Sequence, residues 1–271
     1  MIRVHIACLP MYDFPPLRAA HDALWTALAQ RLHTAGVEAA PASLTRIADH
    51  FESWLHPGLL LGQACEYPLA TRYEGRVRIV ATPRYTAEGC EGACYRSAIV
   101  VRSSDPALAL QDLRGRRCAV NEQDSNSGMN LLRAALAPLA GGAPFFSSVG
   151  LTGSHLASAT QVADGRADVA AIDCVSLAHF RRLYDTLTAQ LRVLAWTPAS
   201  PSLPLITAAS TDDAMLAQLR AALDEVAGDP SLQPVRECLL LGGFDLAPDP
   251  SLPAVRLLAR QARDAGYPML A

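Results

Sequence analysis

The chain has 271 residues, 51% hydrophobic and 18% charged, a balance that supports a buried core in one large domain or two lobes. A short disulfide-stapled module and extended disorder are excluded. Its 23 basic residues are all arginine and stand against 26 acidic ones, for a formal net charge of -3, so no nucleic-acid partner is expected.

Along the chain, short apolar runs alternate with longer amphipathic stretches, the pattern of an α/β protein whose helices cover a largely parallel sheet. The first strand is expected over Arg3 to Leu9, because its apolar stretch is interrupted by His5 and ended by Pro10. That start reads as a strand, not a signal peptide, so the expected compartment is the cytoplasm, with the periplasm as the alternative if a leader has been removed. Pro15 and Pro16 open a helix over about Leu17 to Ala35, with Leu24, Trp25, Leu28 and Leu32 on one face and Gly36 as its stop. A helix over Arg46 to Trp54, the run Gly58 to Ala64 and a strand over Val77 to Ala81 follow.

Tyr95 to Arg102 is a strong strand, ended by Ser103-Ser104-Asp105-Pro106 before a short helix through Leu113. Next come a strand over Cys118 to Val120, a helix over Ser127 to Leu139, a strand over Phe145 to Val149, a helix over His155 to Ala163 and a strand over Val169 to Ile172. After a strand over Leu191 to Trp196, three prolines between Thr197 and Pro204 mark a return segment, since proline cannot donate inside a sheet. A strand over Leu205 to Ala208 and helices near Asp212 to Ala227, Leu232 to Leu240 and Leu252 to Ala265 complete the chain. The expected organisation is a discontinuous first lobe, 1–99 and 204–271, and an inserted lobe, 100–203, with crossings near 97–104 and 197–204. No run approaches the ~20 apolar residues that span a bilayer, so no membrane insertion is expected. Trp25 and Trp54 read as core, and Trp196 as a residue near the return crossing whose fluorescence reports closure.

The most informative local feature is Asn121-Glu122-Gln123-Asp124-Ser125-Asn126-Ser127-Gly128, between a short strand and the periodic run Met129, Leu132, Ala135, Leu136, Leu139. At a helix start, outward backbone N–H groups and serine hydroxyls hold an oxyanion without lysine. Simple helix capping by Ser125 or Ser127 accounts for the same octet, so both readings stand at this point. The phosphate-loop pattern Gly-x-x-x-x-Gly-Lys is absent. Seven cysteines lack the spacing of a secreted framework, and Cys90-Glu91-Gly92-Ala93-Cys94 is not Cys-x-x-Cys. Neither a metal nor another cofactor is therefore expected, and a local disulfide there belongs only to an exported protein. Ser125, His155 and Asp173 occur in an order open to a hydrolytic triad, but Gly-x-Ser-x-Gly is missing.

Several segments, in order, resemble the phosphate and phosphonate substrate-binding proteins of ABC transporters. They are Leu9-Pro10-Met11-Tyr12-Asp13, Gln63-Ala64-Cys65-Glu66-Tyr67-Pro68-Leu69, Gly92-Ala93-Cys94-Tyr95-Arg96-Ser97, Ser125-Asn126-Ser127-Gly128, Gly153-Ser154-His155, Gly165 to Asp173 and Ser200-Pro201-Ser202-Leu203-Pro204. The resemblance implies a two-lobed type II periplasmic-binding-protein fold, each lobe a mixed sheet flanked by helices, with a ligand cleft between the lobes. It further implies a ligand-binding role for Tyr12, Tyr95, Ser125, Asn126, Ser127, His155 and Asp173. Glu66 stands where the family usually carries glycine, an extra carboxylate that would repel a dianion or attract an amine.

The function so implied is non-enzymatic capture of a small phosphonate- or phosphate-like anion by lobe closure, with an ABC permease or a regulatory protein as partner. The alternative is a cytosolic enzyme on the same scaffold, of the menaquinone futalosine-route type, acting on a small carboxylate with His155 or Asp173 as base.

Overall fold

A computed structural model of the chain describes residues 5–47, 49–246 and 251–271. The chain packs as two units, Met1–Thr86 with Ser202–Pro250, and Ala87–Pro201 with Ser251–Ala271. The first unit opens with β1 (Ile6–Cys8), α1 (Arg18–Thr34), α2 (His50–Trp54), β2 (Leu59–Gln63), α3 (Glu66–Thr71) and β3 (Val77–Tyr85). The second carries β4 (Cys94–Tyr95), β5 (Ser97–Arg102), β6 (Arg117–Val120), α4 (Leu131–Ala140), β7 (Ser148–Leu151) and α5 (His155–Ala163). It continues through β8 (Val169–Asp173), α6 (Cys174–Leu183), α7 (Asp185–Thr188), β9 (Leu191–Trp196) and β10 (Ser200–Pro201). The chain returns to the first unit for β11 (Leu205–Ala208), α8 (Asp213–Gly228), α9 (Gln233–Cys238) and β12 (Leu241–Asp245), and ends in the second with α10 (Ser251–Asp264).

Both main sheets are mixed, not largely parallel. The first runs β1-β2-β11-β3-β12, with only β1 and β2 parallel. Its core takes Leu24, Trp25, Leu28 and Leu32 from one face of α1, which packs on α8. The indole nitrogens of the buried Trp25 and Trp54 donate to the carbonyls of Pro41 and Gln63, both at 2.9 Å. The second sheet runs β7-β6-β8-β5-β9, and a separate pair joins β4 to β10. Its interior strand β5 buries Ala98, Ile99, Val100 and Val101 almost completely, each large aliphatic side chain contributing about 1.5–3 kcal/mol.

Several expected boundaries move, each for a local reason. Arg3 and Val4 of the expected first strand lie outside the described residues. The helix expected from Arg46 begins at His50, because Asp49 caps it by accepting from the Phe51 N–H while Arg46 is held by Asp13 and Asp22. β3 runs on to Tyr85, since β12, which was not expected, pairs with Thr82 to Tyr85. Phe145 and Phe146 are not in a strand: their N–H groups donate to the carbonyl of Ala271 at 2.6 and 3.0 Å. The same tail explains why residues 251–271 belong to the second unit and not to the expected first lobe. α10 packs on α4, and Tyr267 is buried beside it. The first crossing lies at 86/87, earlier than 97–104, because β4 pairs with β10 and β5 sits inside the second sheet. No helix among the described residues is long and apolar enough to cross a membrane.

Candidate functional site

Within the second unit, β6 is parallel to both β7 and β8. Parallel neighbours deliver the loops after them to one edge of the sheet, where ligands of open α/β sheets bind. The loop after β6 carries Ser125 to Gly128, that after β7 leads through Ser154 to His155, and β8 ends at Asp173. β5 runs antiparallel to β8 with Ser97 opposite Asp173, which brings Tyr95, two residues before Ser97, to that same edge. Topology thus gathers six of the seven expected residues in one unit.

The helix expected from Ser127 begins as a wide π turn, Asn126–Asn130, ahead of α4. Its backbone bonds skip five residues, the N–H of Asn130 donating to the Ser125 carbonyl at 3.0 Å. Such turns widen the helix start and recur at functional sites. Ser125 caps the turn, its Oγ accepting from the Gly128 N–H at 3.0 Å, so the capping reading of the octet holds for this residue. An oxygen that accepts in this way keeps its own proton to offer elsewhere.

Behind the turn, Asn126 and Tyr95 belong to a chain of buried polar groups whose other members, Arg133, Asn130 and Ser200, were not expected from the sequence. Arg133, only 4% exposed, donates to Asn130 Oδ1 at 2.8 Å and to the Pro268 carbonyl at 2.6 Å. Asn130 Nδ2 donates to Asn126 Oδ1 at 2.9 Å, and Asn126 Nδ2 donates to the Tyr95 hydroxyl at 3.1 Å and to Ser200 Oγ at 2.8 Å. Every link points its proton away from the guanidinium, so the fixed charge polarises both hydroxyls as donors. The spacing Asn126, Asn130, Arg133 places these side chains on one helix face and was visible in the sequence. Ser200, in the proline-rich return segment, carried no such signal.

Ser127 Oγ and His155 Nε2 lie 2.7 Å apart. Burial lowers the His155 pKa to about 4, with the Ala171 carbonyl partly opposing, so the ring is neutral at physiological pH. In the Nε2–H tautomer the ring donates to Ser127 and leaves the hydroxyl proton for a guest; in the other the hydroxyl donates to the ring. An anion at Ser127 selects the first. Because the folded ring resists a proton that the unfolded chain accepts below its ordinary 6.5, stability is full above that pH and falls as pH drops toward 4. His155→Gln is expected to flatten that stretch of the stability profile, removing at most about 3 kcal/mol of acid sensitivity in urea midpoints compared between pH 7 and 4.5.

Asp173 is buried and caps α6, its Oδ1 accepting from the Ser176 N–H at 2.9 Å. The serine that meets His155 is Ser127, not Ser125 of the triad order, and a ring with a pKa of about 4 is a weak general base at neutral pH. Tyr12 belongs to the first unit, after β1, with a left-handed φ of 64° that strains a bulky residue. Its ring stands edge-on to Tyr85 at 5.3 Å, and Gln63 Nε2 donates to the Tyr85 hydroxyl at 2.9 Å. Glu66 begins α3 in the same unit and is fully buried.

A family model described as the periplasmic substrate-binding protein of phosphonate ABC transporters matches residues 6–251. Among solved structures, the chain is similar to a binding-protein component of an ABC phosphonate transporter from Pseudomonas aeruginosa, at 15% identity and a TM-score of 0.77, covering 96% of this chain and 87% of that one. It is similar also to a Prochlorococcus marinus protein in complex with methylphosphonate, at 12% identity and a TM-score of 0.75, covering 96% and 98%. A Xanthomonas citri protein bound to ATP aligns at 18% identity and a TM-score of 0.73, covering 97% and 98%. No curated protein matches the chain. The solved relatives have the two-lobed periplasmic-binding-protein fold.

Proposed function

Since the chain belongs to the family of periplasmic substrate-binding proteins of phosphonate ABC transporters, which bind small ligands for a permease partner and are not enzymes, we propose that its ligand is a small phosphonate- or phosphate-like oxyanion. The futalosine-type enzyme reading is set aside on the same finding. The observation that carries the proposal is the π turn lined by Ser125 and Ser127, flanked by the Tyr95 and Ser200 hydroxyls that the buried Arg133 polarises. A trigonal or tetrahedral oxyanion takes several such donors at once, each charge-assisted bond worth about 1.5–3 kcal/mol. Ser125, Asn126, Ser127, Tyr95 and His155 are the proposed contacts of the second unit. Tyr12 is the proposed contact from the first, and Asp173 a wall residue that orients α6. Ligand-driven closure of the two units completes the reading, and the protein works in the periplasm, as its family does.

Calorimetry with methylphosphonate, aminoethylphosphonate, phosphate, phosphite, sulfate, nitrate and ATP tests the ligand class. Saturable binding of a phosphonate or phosphate in preference to nitrate supports it; selective binding of none of the phosphorus oxyanions overturns it. Ser127→Ala is expected to weaken the preferred ligand by about 1.5–3 kcal/mol, roughly 10- to 150-fold in Kd. An unchanged Kd removes that hydroxyl from the site. Closure is checked by a ligand-dependent fall in radius of gyration in X-ray scattering.

A further inference from the structure

Outside the anion-binding turn, the second unit brings together two thiols that lie 84 residues apart in sequence. Cys90 Sγ and Cys174 Sγ are 3.4 Å apart. Cys174 is the first residue of α6 and is 1% exposed; Cys90 is half-buried in the loop between β3 and β4. That loop is held firmly. Cys90 N–H donates to the Ala87 carbonyl at 3.0 Å, and Glu91 and Cys94 exchange two backbone hydrogen bonds. Glu88 pairs with Arg181 of α6 at 2.9 Å. Gly89 has a φ of +96°, and a Cβ there would stand 3.1 Å from Cys174 Cβ and 2.8 Å from the Trp196 ring. Only glycine lets the loop approach so closely.

We propose that Cys90 and Cys174 are a redox-convertible pair that closes to a disulfide and pins this loop to the start of α6. The sulfurs need to approach by about 1.4 Å to reach the ~2.05 Å of a disulfide. The hydrogen bond to Cys90, and burial, raise the Cys174 pKa well above the usual thiol range, so exchange begins at the half-buried Cys90. With oxidised glutathione as the oxidant, the Cys90 thiolate attacks one glutathione sulfur and releases one glutathione thiol. The Cys174 thiolate then attacks the Cys90 sulfur of the mixed disulfide and releases the second. The electron pair passes to glutathione, and the two cysteine protons end on its two thiols. This pairing is independent of the ligand proposed above.

The test treats the folded full chain with oxidised glutathione, alkylates the remaining thiols and maps peptides by mass spectrometry. The expected result is a Cys90–Cys174 cross-linked peptide and an intact mass lower by about 2 Da. Trp196 emission, from the ring packed on this loop, is expected to fall and to recover with dithiothreitol. The melting temperature is expected to rise by on the order of 5 °C, because the long loop between the two cysteines is closed in the unfolded chain. Cys174→Ser is expected to trap glutathione on Cys90, while Cys94→Ser leaves the cross-link intact. A Cys90–Cys94 link, a mixed disulfide that persists on the unsubstituted chain, or full alkylation of all seven cysteines overturns the proposal. The peptide map of the unsubstituted chain decides the matter even if a variant fails to fold.

Discussion

Arg133→Met is expected to weaken both the fold and anion capture. Methionine fills much of the aliphatic path of arginine but donates nothing. The substitution leaves Asn130 Oδ1 and the Pro268 carbonyl without the donors that now reach them at 2.8 and 2.6 Å. Asn130 Oδ1 is buried, and an acceptor stripped of its partner there costs about 1–3 kcal/mol, which is the expected loss of stability in urea denaturation. That stands against the roughly 5–15 kcal/mol that holds an ordinary domain together. Binding suffers by a second route. The proposed anion site has no lysine, and the guanidinium behind the turn reaches the Tyr95 and Ser200 hydroxyls through Asn130 and Asn126. Removing it is expected to raise the Kd for the preferred oxyanion at least tenfold, about 1.4 kcal/mol, in calorimetry below the melting temperature. Arg133→Lys, which keeps the charge with fewer directed donors, is expected to recover part of the affinity. Equal Kd values for the unsubstituted chain and the folded Arg133→Met variant would show that the relay carries no charge to the site.

Gly128→Ala is expected to abolish most binding with a smaller effect on stability. A methyl at Gly128 meets Asn121 Oδ1 at 1.8 Å and the His155 ring at 3.3 Å. The Asn121 amide swings away, and the ring that orients the Ser127 hydroxyl moves with its surroundings. The Gly128 N–H, which fixes the Ser125 hydroxyl at 3.0 Å, shifts too. Losing the alignment of both serine hydroxyls forfeits two charge-assisted bonds, an expected rise in Kd of at least roughly 100-fold, read by titration calorimetry. Tyr95→Phe is the milder companion, since it deletes a single hydroxyl and leaves the backbone of the turn in place. If Gly128→Ala binds as tightly as Tyr95→Phe, the turn does not govern the site.

Much of the architecture is legible in the residue pattern. Strand and helix periods are local properties, set by whether side chains alternate or recur every three to four residues, so α5, β9 and β11 lie where periodicity predicts them. The octet around Ser125 to Gly128 was legible for the same reason: a cap, a glycine and an apolar run are contiguous chemistry. Less legible were segments whose partners are remote. Phe145 and Phe146 read as strand because they are apolar, but what their N–H groups meet is the carbonyl of Ala271. The tail that carries it was therefore given to the other unit.

From residue types and their order alone come the α/β class, the family resemblance and the lysine-free octet that sets small hydroxyls at a helix start. Only the tertiary structure decided which groups stand together. It set Ser127 rather than Ser125 against His155, put a buried arginine behind the turn, and set Cys90, in the loop after β3, against Cys174 at the start of α6. The physical reason is range. Backbone conformation and amphipathic pattern are written in neighbours a few residues apart, whereas hydrogen bonds and thiol contacts act over about 3 Å of space that any two points of the chain can come to share once the sheet has closed.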